Sequence, residues 1–162
     1  MSNDAIVLLK EDHKKVKQLF RQVEQRKDDG GEAIADLARE ICDELTVHAA
    51  IEEEIFYPAA RKVVDEELLL LEADEEHHMV EVLIEEIQQL EPTHEHFVAK
   101  NIVLMDMVKH HIEEEEGELF PQVREALGRT RLQEIGEEML ARKKQLQREP
   151  QTLTIDEPQT VS

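Results

Sequence analysis

The chain has 162 residues, with 39 Asp and Glu against 19 Lys and Arg and a formal net charge of −20 at pH 7. That length suits one domain with a sizeable core, and a field this negative repels phosphate backbones and anionic lipid, excluding nucleic acid and membrane surfaces and favouring cations. An apolar share of 40% with only 3% aromatics points to helices rather than a sheet sandwich. Cys42 stands alone, so no disulfide framework or cysteine zinc site is available. Eight histidines in a Glu-rich chain are the unusual feature.

No stretch reaches the roughly 18 apolar residues that span a bilayer, and Met1–Asp4 lacks the basic region of a signal peptide, so the expected address is the cytoplasm. Asn3 or Asp4 is expected to cap a first helix whose seam carries Ile6, Leu9, His13, Val16, Phe20 and Val23. Asp28-Asp29-Gly30-Gly31 breaks the pattern. A second helix from about Glu32 places Ile34, Ala38, Ile41, Leu45, His48, Glu52, Ile55 and Ala59 on its seam. Asp65 is expected to cap a third, with Leu70, Ala73, His77, Val80, Ile84 and Ile87 inward. After Pro92 a fourth carries Phe97, Asn101, Leu104, Val108, His111 and Glu115.

Four amphipathic helices with short connections predict an all-α, up-down-up-down four-helix bundle. Gly128 is expected to end the last of them, and Thr130 to cap an additional C-terminal helix to about Gln147, packed outside the bundle. The domain is expected over residues 4–147, with a disordered tail at 148–162.

The two halves repeat. His13 aligns with His77 at an offset of 64, each preceded by an acid and followed by apolar residues at the same steps. His48-x3-Glu52-x5-Pro58 aligns with His111-x3-Glu115-x5-Pro121 at an offset of 63. The chain therefore reads as two pseudo-symmetric αα-hairpins. The register selects His77 over His78 and His111 over His110, whose neighbours sit about 100° around the helix.

All six repeated residues face the bundle interior, and an i,i+4 pair such as His48 and Glu52 shares one helical face. Two carboxylates and four imidazoles buried without Lys or Arg on the seams would cost several kcal/mol each. A metal resolves that conflict by turning them into ligands. Mixed imidazole and carboxylate donors suit iron or manganese better than Ca²⁺ or a structural zinc. Neither the Glu-x-x-His of ferritin-type bundles nor the His-Glu-x-x-His of zinc proteases is present.

At His13, His48-x3-Glu52, His77 and His111-x3-Glu115 the sequence resembles the hemerythrin-like HHE cation-binding family, over about residues 4–125. The resemblance implies two iron ions (Fe2+/Fe3+) able to carry an oxo bridge, with Glu52 and Glu115 bridging and the four histidines as terminal ligands. Oxygen-carrying hemerythrins have a further histidine one turn after the third-helix ligand. Here Glu81 stands there, either as a seventh ligand that changes the coordination and potential of one iron or as a surface acid.

The resemblance implies small diatomic or peroxide ligands as partners. Four functions follow: a catalase-like or oxidase enzyme, a binder or sensor of O2 or NO, an iron-storing protein, and a purely structural bundle. Oxidative or nitrosative stress defence is the favoured setting. The remaining acids of Glu52–Glu54 and Glu113–Glu116 are expected on solvated faces, His94 and His96 near a helix start, and Tyr57 in the core within reach of bound oxygen species.

Overall fold

The computed structural model describes residues 3–149, all of whose regular structure is helical. Of the tail expected at 148–162, Arg148 still belongs to the last helix, and residues 150–162 lie outside the described residues.

Helix α1 (Ala5–Arg26) starts at Asp4, whose carboxylate accepts the Val7 N–H at 2.9 Å. Helix α2 (Gly31–Ile51) runs through a π-helical turn, Glu52–Phe56, into α3 (Tyr57–Arg61). Helix α4 is Glu67–Gln89. Helix α5 (Phe97–Glu114) passes a second π-helical turn, Glu115–Leu119, into α6 (Phe120–Arg148). α1 packs on α2 and α4 on α5, giving the antiparallel hairpins of a four-helix bundle, while α6 returns along α1 and α2.

Two expected caps differ. α4 begins with Glu66 in the capping position and no side-chain bond, and Asp65 contributes only its carbonyl, to the Glu67 N–H at 3.0 Å. Gly128, in the left-handed region at φ 77°, ends the first stretch of α6 as expected, and the additional C-terminal stretch starts at once after it, so Thr130 lies inside that stretch rather than capping it.

The π-helical turns follow from two prolines. Pro58 and Pro121 have no N–H and would press their rings on the carbonyl four residues back. The Tyr57 N–H instead reaches five residues back to the Glu52 carbonyl, and the Phe120 N–H to that of Glu115. The extra residue turns everything beyond it by about 100°. Ile55 and Ala59, expected on the seam, are therefore only half-buried, and Phe56, Tyr57 and Ala60 take the interior.

The apolar core is in two parts. One gathers Val16, Phe20, Ile41, Ile84, Leu104 and Ile112. The other gathers Leu9, Ile51, Phe56, Tyr57, Leu70 and Phe120, and α6 adds Leu132, Ile135 and Met139 to it. Close approach of α6 to the chain start requires Gly136, where a Cβ would stand 1.8 Å from the Asn3 carbonyl oxygen. Among the described residues no helix is long and apolar enough to cross a membrane.

Candidate metal centre

Between the two apolar clusters lies a polar layer. The step from Leu9 to Val16 on α1 crosses His13, and that from Leu45 to Ile51 on α2 crosses His48. His77 on α4 and His111 on α5 fill the same layer, with Glu52 and Glu115 opening the two π-helical turns. All six residues singled out by the repeat are buried and meet there, Glu52 at 0% and Glu115 at 2% exposure.

Glu52 Oε1 stands 3.0 Å from His48 Nε2 and 3.2 Å from His77 Nε2. Glu115 Oε1 stands 2.5 Å from His111 Nε2 and 4.0 Å from His13 Nε2. Each carboxylate therefore touches a histidine from either half of the molecule. Donor atoms of Glu52, His77, His111 and Glu115 lie within 4.8 Å of one another, as do those of His13, His48 and Glu115. The two groups share the Glu115 carboxylate, and each could hold a cation.

The outer edges of the rings decide how the inner edges are used. His13 Nδ1 donates to Glu116 Oε2 at 2.7 Å, His48 Nδ1 to Asp12 Oδ2 at 3.0 Å, and His111 Nδ1 to Glu76 Oε1 at 2.8 Å. An ionised carboxylate only accepts, so these rings keep a proton on Nδ1, and Nε2 is the nitrogen that becomes free to ligate once its own proton is lost. Glu53 approaches His77 Nδ1 at 3.5 Å, an ion-pair distance without a hydrogen bond.

Inside, His13 Nε2, His48 Nε2 and both oxygens of Glu52 and Glu115 are buried without a hydrogen-bond partner. Buried polar atoms without hydrogen bonds at this density are costly as packing. They fit a cation, which takes lone pairs from imidazole nitrogen and carboxylate oxygen alike.

The sequence matches the Hemerythrin HHE cation binding domain family over residues 4–123. The chain belongs to that family. A crystal structure of a hemerythrin HHE cation-binding domain-containing protein from Mycobacterium kansasii is similar, with a TM-score of 0.74 at 27% identity, covering 88% of this chain and 86% of that one. A curated relative, called a DNA nickase, from Nostoc sp. is 31% identical over 140 residues. That match takes in 86% of this chain but only 39% of the relative's length.

Sequence reasoning missed the outer carboxylates of this HHE domain. Glu53 and Glu54 are exposed as expected, with Glu53 3.5 Å from His77 Nδ1 and Glu54 holding Arg142 of α6, whereas Glu116 is half-buried against His13. The signal was present in the repeat. Asp12 and Glu76 each precede a seam histidine, Glu116 follows a seam glutamate, and each accepts from a ring on a neighbouring helix. Glu81 is exposed, lines the cavity beside the centre and belongs to neither buried donor group. His78, His94, His96 and His110 are exposed.

Electrostatics give the metal-free domain a distinctive pH response. Burial disfavours the His48 cation, but Glu52 and Asp12 outweigh burial and lift it to about 10. His77 is lifted to about 9 against the same burial by Glu52 and Glu53. Burial and the neighbouring Glu52 push Glu115 up to about 7. Burial and His48 lower His13 to about 4, outside the range of interest above neutrality.

For the raised histidines, stability is fully present below about 6.5 and lost as pH rises through the folded values. For Glu115 the contribution is present below its ordinary range and is lost through about 7. The folded chain thus binds more protons than the unfolded chain above neutrality. Metal-free protein is expected to melt at a lower temperature at pH 9 than at pH 7, followed by circular dichroism in chelator. Saturating metal should flatten or reverse that slope, because bound ligands are already deprotonated. A metal-free melting temperature that rises between these pH values would contradict the charge assignment.

Proposed function

We propose that the chain is a hemerythrin-like non-haem di-iron protein that binds or reacts with O2, peroxide or NO, serving oxidative or nitrosative stress defence. His13, His48, His77 and His111 are the terminal ligands, and Glu52 and Glu115 bridge the two ions. The observation that carries this reading is the set of buried, unpartnered imidazole and carboxylate atoms contributed by four helices. Their mixed N/O character favours iron or manganese among the family's cations. When bound, the iron pair supplies a redox centre and a Lewis acid.

The chain's own residues set what reaches that pair. A cavity of about 210 Å³ runs to the histidines, and Val16, Leu45, Val80, Ile84, Val108 and Ile112 give it an apolar wall. Such a passage suits small neutral molecules and disfavours hydrated anions. Tyr57 is fully buried, with its hydroxyl 3.1 Å from His77 Nε2 and 3.2 Å from His111 Nε2. Burial, with Glu115 and Glu52 beside it, holds the phenol well above its ordinary pKa, so it stays protonated and serves as a hydrogen-bond donor at the centre. Asp12, Glu76 and Glu116 hold the imidazole rings in the ligating tautomer.

A second reading, iron storage without turnover, draws support from the net charge of −20, which concentrates cations around the protein. The nicking activity in the Nostoc relative's name is not carried over, since the match spans 39% of that protein and the acidic surface opposes DNA phosphates.

The test is to add O2 and then peroxide to the anaerobic Fe(II)-loaded protein while recording spectra and dissolved oxygen. O2 evolution from peroxide supports a catalase-like enzyme, and a band that appears and reverses with O2 supports carriage or sensing. Slow one-way oxidation with iron retained supports storage. No spectral change with either reagent would contradict all reactive versions of the reading.

A further inference from the structure

The two halves match at the centre but differ outside it. On one side Asp12 holds His48 with Oδ2, and its other oxygen accepts the Lys143 ammonium of α6. The C-terminal helix thereby covers and neutralises that face. On the opposite side Glu76 holds His111 with Oε1, while its Oε2 lies 3.7 Å from His110 Nε2. His110 Nε2 is in turn 2.9 Å from Glu114 Oε1. No Lys or Arg among the described residues pairs with either carboxylate.

Donor atoms of Glu76, His110 and Glu114 lie within 4.8 Å of one another on a half-exposed surface. The repeat does not require this group. The positions matching His110 and Glu114 in the first half are Val47 and Ile51, both buried and apolar.

A second observation connects the cluster with the interior. A cavity of about 10 Å³, at the lower limit for holding one water, is walled by Leu69, Ala73 and Leu119 together with Glu76, Glu114 and Glu115. Glu115 is 2% exposed, and both its oxygens lack hydrogen-bond partners. The buried Glu115 carboxylate thus shares the wall of one small cavity with Glu76 and Glu114, two of the three outer donors.

We propose that Glu76, His110 and Glu114 form an outer divalent-cation site through which metal passes to the buried centre by way of Glu115. The inference rests on the metal-centre reading of the preceding subsection. A hydrated cation cannot shed its water in one step at a buried site without a large desolvation cost. An intermediate site of one imidazole and two carboxylates exchanges that water stepwise, and Glu76 spans the outer group and the inner ligand His111. Lys143 bars the equivalent route on the other face by placing a cation on Asp12.

The test compares metal uptake by the full-length metal-free protein with that of a His110→Ala/Glu114→Gln variant, using anaerobic Co²⁺ and stopped-flow absorbance. Glu76 is left in place so that His111 keeps its partner. Glu125→Gln, an exposed acid away from the cluster, controls for the lost charge. Wild type and control should fill the buried centre quickly and hold one further, weaker equivalent. The double variant should lose that weaker equivalent and fill the centre about tenfold more slowly or worse, reaching the same final inner occupancy. Equal loading rates in variant and control would overturn the transit role, whether or not the weaker equivalent is lost. Absence of buried uptake in every protein would overturn the metal-centre reading and this proposal with it.

Discussion

Replacing Glu115 with Gln is expected to lower metal capacity from two ions per chain to one or none, while raising the melting temperature of the metal-free protein at pH 8. Glu115 is the one residue common to both buried donor groups. An amide offers one neutral oxygen where a carboxylate offers two charged ones, so the two positions lose their shared ligand. The affinity loss should exceed the 10–100-fold typical of residues that only support a ligand.

Stability should move the other way. Burial and Glu52 push the Glu115 carboxyl up to about 7, so at pH 8 its ionised form is a cost that Gln removes. A gain of about 2–4 °C corresponds to about 1 kcal/mol in a chain of this size. The opposite signs separate loss of a ligand from misfolding, which would lower both. Metal analysis after anaerobic loading and a thermal melt of the metal-free variant read the two effects. A variant that still binds two ions would show that Glu115 is not a shared ligand.

Asp12→Ala and Glu116→Ala are each expected to weaken metal binding by about 10–100-fold with the bundle intact. Each carboxylate accepts the Nδ1 proton of a histidine from another helix, at 3.0 Å for His48 and 2.7 Å for His13. Without that acceptor the ring is free to rotate or to carry its proton on Nε2, where the metal must bind. Glu53→Ala should cost less, because its approach to His77 Nδ1 is 3.5 Å and is not a hydrogen bond. Competition with a coloured chelator measures the affinities. If Asp12→Ala binds as tightly as wild type, packing alone orients His48.

The bundle and the six central residues were legible because helical periodicity and the 63–64-residue repeat address the same positions. A seam pattern marks which side chains point inward, and the repeat separates His77 and His111 from their exposed neighbours. What stayed hidden arises where the backbone departs from a regular helix or where partners come from different helices.

Pro58 and Pro121 were visible, yet the π-helical turns they impose, which swing Ile55 and Ala59 off the seam, were not. Glu116 looked like a member of a solvated acid run, since nothing local reveals that it faces His13 on another helix. Lys143 is the extreme case. It lies 131 residues from Asp12 in sequence and meets it only because α6 folds back along α1, with Gly136 against Asn3.

Whether the buried histidines and glutamates hold a pair of metal ions is read most directly from the iron content of the metal-free protein after anaerobic incubation with excess Fe(II) and removal of loosely bound metal on a desalting column. Two tightly held irons per chain are expected. A chain that emerges folded but iron-free would contradict the account.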